Sequence, residues 1–206
     1  MFFILMDIVA DLLALFHGSY ASIAGFIGAY SYVAIFLLMI LESASLPIPS
    51  EMVLPAIGYF AAQGDINVVV ALLVALAGSI IGMGIDYYLA YFFEKEVIYT
   101  HLQFFHIKKA QLERFDAWFY RNGPITVFIS RMLPVVRGFI NFPAGFAMMP
   151  IDKFYMYSIA GVVIWEVVLV GFGYYALMTN IYVTSFAAAA FALAMYLLYR
   201  YVRTRI

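Results

Sequence analysis

The sequence predicts an all-α polytopic membrane protein, an inverted repeat built on two facing re-entrant hairpins with spanning helices and amphipathic surface helices around them. Three observations carry that expectation. Hydrophobic residues make up 67% and charged residues 11% of the 206 positions, a balance too apolar for a water-soluble domain. Two long apolar runs are broken by prolines and carry charges at the breaks, so neither reads as one continuous helix. The chain also matches itself: at an ungapped offset of 87, Ser43, Leu46, Pro47, Gly58, Asp65, Gly84, Tyr87 and Tyr88 fall on Ser130, Leu133, Pro134, Gly145, Asp152, Gly171, Tyr174 and Tyr175. The landmarks recur in order as break, turn, helix start and helix end.

Taken from the N-terminus, residues 2–16 form an apolar run with Asp7 and Asp11 and no basic flank, which predicts an interfacial or packed helix rather than a cleaved signal peptide. Residues 21–62 are interrupted at Pro47, Pro49 and Pro55, with Glu42 and Glu51 beside the break. Residues 66–93 form an uninterrupted run that at about 1.5 Å per residue exceeds a hydrocarbon core of about 30 Å. The polar linker 94–121 places Leu112, Phe115 and Phe119 at helical spacing, which predicts an amphipathic helix on the membrane surface. Residues 125–149 are broken at Pro134 and Pro143, with Arg131 and Arg137 inside. Residues 154–177 and 181–199 then form a spanning hairpin around Thr179 and Asn180. One membrane domain, 1–206, results: repeat one at about 28–93, the linker at 94–121, repeat two at about 122–178 and a last span at 181–199.

Orientation follows from charge. Residues 1–94 contain no Lys or Arg, and all eleven lie from Lys95 onward. The basic linker and the basic C-terminus both belong in the cytoplasm by the positive-inside rule. Counting crossings makes the second repeat inverted relative to the first. "LESASLPIPSE" and "SRMLPVVRGFINFPAG" are then the tips of hairpins that enter from opposite faces and meet near mid-membrane, with Pro47 near Pro134. Irregular backbone at that depth requires burial in protein or a polar cavity.

A charge at the bilayer centre costs about 2.5–3.5 kcal/mol on insertion scales, so four of them at the breaks point to use. Arg131 and Arg137 are candidates to hold an anionic headgroup by forked hydrogen bonds, assisted by backbone N–H groups near Gly138. Glu42 and Glu51 are candidates to exchange protons, Glu42 first, and to pair with the arginines when the site is empty. Asp86 and Glu166 lie inside spanning helices and are lesser cavity candidates. The bland reading of the hairpin charges is a pair of structural ion pairs, and it is compatible with the functional one. Gly78 and Gly82 form a small-xxx-small pattern that predicts close helix packing. Pro47, Pro49, Pro134, Pro143 and Gly145 mark the breaks and turns. With no cysteine, no metal spacing among His17, His101 and His106, and no phosphate loop or nucleophile elbow, neither a cofactor, a metal nor a nucleic-acid partner is expected.

These residues carry a resemblance. "ESASLPIPSE" followed by Gly58, then "FISRMLPVVRGFINFPAGFAMMPIDKF" and "GVVIWEVVLVGFGYY", resemble the DedA family, also called the SNARE-associated or VTT-domain family, over about residues 28–177. The resemblance implies two facing re-entrant hairpins and lipid translocation. Bacterial members are linked to returning undecaprenyl phosphate to the cytoplasmic leaflet with dependence on the proton-motive force, and eukaryotic relatives scramble phospholipids. Glu42, Glu51, Arg131 and Arg137 match the family's required acidic and basic positions. Where many members have Gly-Asp, this chain has Gly82-Met83, and its acid follows at Asp86. The expectation is therefore a multi-pass flippase of the cell (plasma or inner) membrane, not an enzyme, with a polyprenyl phosphate as lipid partner and protons or another ion for coupling. A less selective phospholipid scramblase, an intramembrane lipid-phosphate enzyme and an assembly factor are the alternatives. Self-association into a homo-oligomer is left open.

Overall fold

The computed structural model describes residues 20–46, 48–92, 109–133 and 136–178. Among these residues there are seven α-helices and no strand: α1 Tyr20–Ser43, α2 Ser50–Gln63, α3 Val68–Phe92, α4 Lys109–Arg131, α5 Val136–Phe139, α6 Asn141–Phe146 and α7 Ile151–Met178. The expected contact between Pro47 and Pro134, the N-terminal run 2–16 and the last span 181–199 lie outside the described residues, as does the linker up to residue 108. Among the described residues three helices are long and apolar enough to cross a membrane: Ala21–Ser43, Val68–Phe92 and Ile151–Ala176.

The first of these differs from expectation. Residues 21–62 read as one broken segment, yet α1 alone covers 24 residues, or roughly 36 Å at helical rise. Its backbone is nevertheless interrupted at Ser31, with φ 53 and ψ −124, so it consists of two half-length pieces. The second piece ends at a left-handed Ser45, φ 57, where the Leu46 amide donates back to the Leu41 carbonyl at 3.1 Å. That is a helix stop closed by a reverse hydrogen bond. Pro49 then caps α2 in an extended conformation, and its fixed φ suits the start of a helix. Gly64, at φ 85, terminates α2 in the same left-handed way.

Asn67 opens α3: its side-chain oxygen accepts from the amides of Val69 and Val70 at 3.0 and 3.2 Å, satisfying two otherwise orphaned donors. The helix is inside-out relative to one in a soluble protein. Small and polar residues, Ala71, Ala75, Gly78, Ser79, Gly82 and Asp86, face inward, while Val69, Leu73, Ile81, Ile85 and Phe92 face outward. Gly78 and Gly82 serve the close packing their spacing predicts, since a Cβ at either would run into the α1 backbone at Phe36 and Ile40.

The helix that begins in the linker, α4, continues through Pro124 to Arg131. Proline removes only one backbone donor, and a helix otherwise held in place absorbs that loss.

Packing between the two halves is crosswise. α2 packs most extensively on α7, and α6 packs on α3; α1 lies on α3, and α4 on α7. Adding 87 to the residue numbers carries α1, α2 and α3 approximately onto α4, the α5–α6 pair and α7, and it exchanges the members of each packing relation. Two glycines separated by that offset make matching approaches. Gly58 lies against the α7 backbone at Val170, Gly173 and Tyr174, and Gly145 against the α3 backbone at Tyr87 and Tyr91.

Gly58→Ala and Gly145→Ala should each destabilise the fold, by about 1–3 kcal/mol, because the new methyl meets backbone that can yield only by separating helices. Gly171→Ala meets nothing within 4 Å and should be neutral or gain up to about 1 kcal/mol from helix propensity. Thermal unfolding of the three variants in one detergent tests the ranking.

Candidate functional site

The buried polar residues converge where the two apolar cores meet. Met39 and Trp165 belong to one core and Val162 to the other, and all three line a small cavity together with Glu42, Ser79, Arg131, Arg137 and Glu166. Its volume is about 10 Å³, room for about one water.

Glu42 sits in the last turn of α1 and is 8% exposed. Its Oε1 accepts from both Nε, at 3.0 Å, and the terminal Nη2 of Arg137, and Ser43 Oγ donates to its Oε2 at 3.0 Å. The pair ties the end of α1 to α5 across the two halves of the chain. The Arg137 guanidinium also lies 5.0 Å from the centre of the Trp165 ring on α7, within cation–π range.

Arg131, the last residue of α4, is held differently. It is 3% exposed and among the described residues has no carboxylate within ion-pair distance. Nη1 donates to the Arg137 carbonyl at 2.9 Å, and Nη2 to Asn141 Oδ1 at 2.6 Å and Ser158 Oγ at 2.9 Å. Its Nε has no acceptor among the described residues.

Asn141, fully buried at the start of α6, is the hub. While its oxygen accepts from Arg131, its Nδ2 donates to the Ser43 carbonyl at 3.1 Å and to Asp86 Oδ2 at 3.2 Å. Asp86 is thereby connected to Arg131 through a neutral amide. Asp86 Oδ2 also lies 2.5 Å from Ser45 Oγ. Glu166 accepts from Ser79 Oγ at 2.8 Å; these two residues are themselves 87 apart and face each other across the α3–α7 contact.

The structure thus brings together Glu42, Arg131, Arg137, Asp86 and Glu166. Glu51 is not among them: it is exposed at the second residue of α2, so the expected pairing of Glu51 with an arginine is absent among the described residues. The start of α2 turns its small, uncharged neighbour Ser50 inward instead. Gly138 contributes its carbonyl, which accepts from Ser45 at 3.0 Å, rather than an amide for an anion. The four-residue α5 is too short for a useful dipole. Pro49 caps α2, Pro143 lies inside α6, and Gly145 provides the α3 contact. Ser45, Ser79, Asn141 and Ser158 were not singled out by sequence reasoning. Their signal was available as neutral polar residues inside apolar runs, weaker than a charge because a hydroxyl or amide costs less to bury.

Comparison with known proteins places this geometry in context. The VTT domain family model matches residues 48–175. The chain is 32% identical over 155 residues to undecaprenyl phosphate transporter A of Staphylococcus aureus (strain NCTC 8325 / PS 47), covering 73% of this chain and 76% of that protein. It is 27% identical over 149 residues to an alkaline phosphatase-like protein of Lactococcus lactis subsp. cremoris (strain MG1363), 70% of each. It is 24% identical over 153 residues to protein DedA of Escherichia coli (strain K12), 72% of this chain and 69% of that one. No solved structure matches the chain significantly.

Removing one partner of a buried ion pair strands the other. Glu42→Ala and Arg137→Ala should each destabilise by about 3–5 kcal/mol, and the double variant by clearly less than their sum. Equilibrium unfolding in mixed micelles measures the cycle; strictly additive losses would show that the two side chains are not coupled.

Proposed function

The chain belongs to the VTT-domain (DedA) family, and on that premise we propose that it is a flippase moving a phosphate-bearing carrier lipid, a polyprenyl phosphate of the undecaprenyl type, between leaflets with proton coupling. One observation carries the reading: two guanidinium groups from one broken segment line a buried polar cavity, and one of them is held there by a carboxylate from the other broken segment. A phosphate offers Arg137 the same acceptor chemistry as Glu42, and forked recognition of either group is what arginine does best. Arg131, lining the same cavity with an Nε–H that has no acceptor among the described residues, is a second donor for that phosphate. The name of the S. aureus relative supports the same class of cargo.

In this proposal α1 and α2 form one re-entrant hairpin and α4 to α6 the other, entering from opposite faces. The interruption at Ser31 supports it, since the arms 32–43 and 50–63 then have about half the length of a span. The crosswise packing supports the inverted repeat. The linker and C-terminus are cytoplasmic and the membrane is the cell membrane.

The site is closed around about one water's volume, so binding requires the two halves to part. Phosphate displaces Glu42 from Arg137, and a buried carboxylate without its cation is costly. Glu42 takes up a proton as phosphate enters, and the occupied and empty sites then carry similar net charge. Arginine cannot provide this step because it stays protonated. Coupling to the proton gradient follows from that exchange.

The name of the L. lactis relative favours one competing reading, a lipid-phosphate phosphatase, in which the same arginines hold phosphate while a carboxylate attacks. Headgroup-labelled polyprenyl phosphate in sealed proteoliposomes separates the two: flipping without phosphate release is expected, and release of phosphate would establish an enzyme. Exchange of ordinary phospholipids at the same rate would establish a scramblase.

Arg131→Lys and Arg137→Lys keep the charge and lose the fork, and should each reduce flipping by tenfold or more, a loss of about 1.4 kcal/mol or greater, with folded protein retained. Full activity in both would refute forked phosphate recognition. Glu42→Gln should retain lipid binding and flatten the response of transport to an imposed pH gradient; a wild-type response would move the coupling proton elsewhere.

A further inference from the structure

The junction of the two broken segments contains a hydrogen-bond count that does not close with an ionised Asp86. Ser45 Oγ lies 2.5 Å from Asp86 Oδ2 and 3.0 Å from the Gly138 carbonyl oxygen. A serine hydroxyl has one proton, and a carbonyl can only accept. If Asp86 were a carboxylate, the single proton would serve one neighbour and leave oxygen lone pairs opposed at the other. Both contacts become hydrogen bonds when Asp86 donates to Ser45 and Ser45 donates to Gly138. The remaining neighbour fits this assignment, because Asn141 presents Nδ2 to Asp86, its oxygen being committed to Arg131, and a protonated oxygen can still accept.

We infer that Asp86 holds a proton that latches Ser45, at the tip of the first broken segment, to Gly138 in the second, and that loss of this proton releases the junction. The inference builds on the proposed reading of these segments as the moving parts of a transport cycle. It adds a second titrating residue, separate from the Glu42–Arg137 exchange.

A second feature points to the same residue. Ser45 is a non-glycine in the left-handed region, φ 57, a conformation disfavoured for an L-residue. The latched residue is therefore also the strained one, and release allows it to relax. Gly138 lines the cavity beside Arg137, so freeing its carbonyl loosens the wall that closes the site.

The sign follows from the proton count. The junction is joined while Asp86 is protonated, and the joined fraction falls as pH rises through its titration. The groups bearing on that titration come from several elements. They are Glu42 on α1, Arg131 on α4, Arg137 on α5, Tyr155 and Glu166 on α7, and Tyr87 on α3 itself. Among the described residues Arg131 is the basic group linked to Asp86, through Asn141, and Glu42 is occupied by Arg137. Glu51 on α2 is exposed, and α6 carries no titratable side chain.

The test uses the full chain in nanodiscs without lipid substrate, so it stands or falls independently of transport. Infrared difference spectra between wild type and Asp86→Asn should isolate a carboxylic-acid C=O band that fades as pH is raised. The chain has no cysteine, so Leu46→Cys with Phe139→Cys, two exposed positions flanking the junction, reports its closure by cross-linking with a short thiol reagent. Cross-linking should fall severalfold as pH rises. With Asp86→Asn, whose amide can still donate to Ser45, it should stay high at every pH. Ser45→Ala keeps Asp86 and removes the relay, so its cross-linking should be low and pH-independent, which keeps the test decisive if the asparagine variant misfolds. Absence of an Asp86 acid band, or wild-type pH dependence in either variant, would overturn the latch.

Discussion

The organising constraint is that polar groups removed from water must be satisfied by one another. The Glu42–Arg137 pair is the strongest instance and the one that links the two halves of the chain at their charged ends. Such a pair is a poor source of net stability, because desolvating two ions offsets most of their attraction. Its consequence is specificity: α1 has to end where α5 begins, or two charges are stranded. Around it, Asn141, Ser158 and the Arg137 carbonyl accept from Arg131, and Ser43 donates to Glu42. Apolar packing on either side supplies the cohesion, and the polar layer fixes the register.

The relation between the halves explains why so much polar surface can be gathered at one place. Helix α2 reaches across to α7 and α6 reaches across to α3, so the two broken segments end between the two long helices. Close crossing requires small residues, and Gly58, Gly145 and Gly173 provide it at the positions where backbones touch. Ser79 and Glu166, one offset apart, lie where α3 and α7 face each other.

What was legible in the sequence was legible for energetic reasons. Glu42, Arg131 and Arg137 stand out because a charge inside an apolar run is expensive, and the structure brings them to one cavity. Glu51 has the same signature and lies outside, because the direction of a side chain near a helix start depends on the placement of the helix and not on composition. Asn141 and Ser45 escaped notice because neutral polar residues leave little trace in hydropathy, although Asn141 holds more partners than either glutamate. The interruption at Ser31 had no proline or glycine to announce it. Pro124, of a residue type that usually ends a helix, is absorbed within α4.

The two arginines differ in how readily each can change partners. Arg131 is surrounded by neutral oxygens on three elements, and one of them, that of Asn141, belongs to the side chain that also donates to Asp86. Arg137 is held by a single carboxylate and an aromatic face, so a competing anion needs to displace only Glu42. In the proposed exchange Arg137 would therefore change partner first, while Arg131 stays anchored by its neutral oxygens. The ordering has a structural consequence. Asn141 connects Arg131 to Asp86, so an anion that reaches Arg131 also perturbs the hydrogen bonds next to the Ser45 junction. In the proposed cycle, headgroup binding and release of the broken-segment tips would be coupled through this one amide side chain.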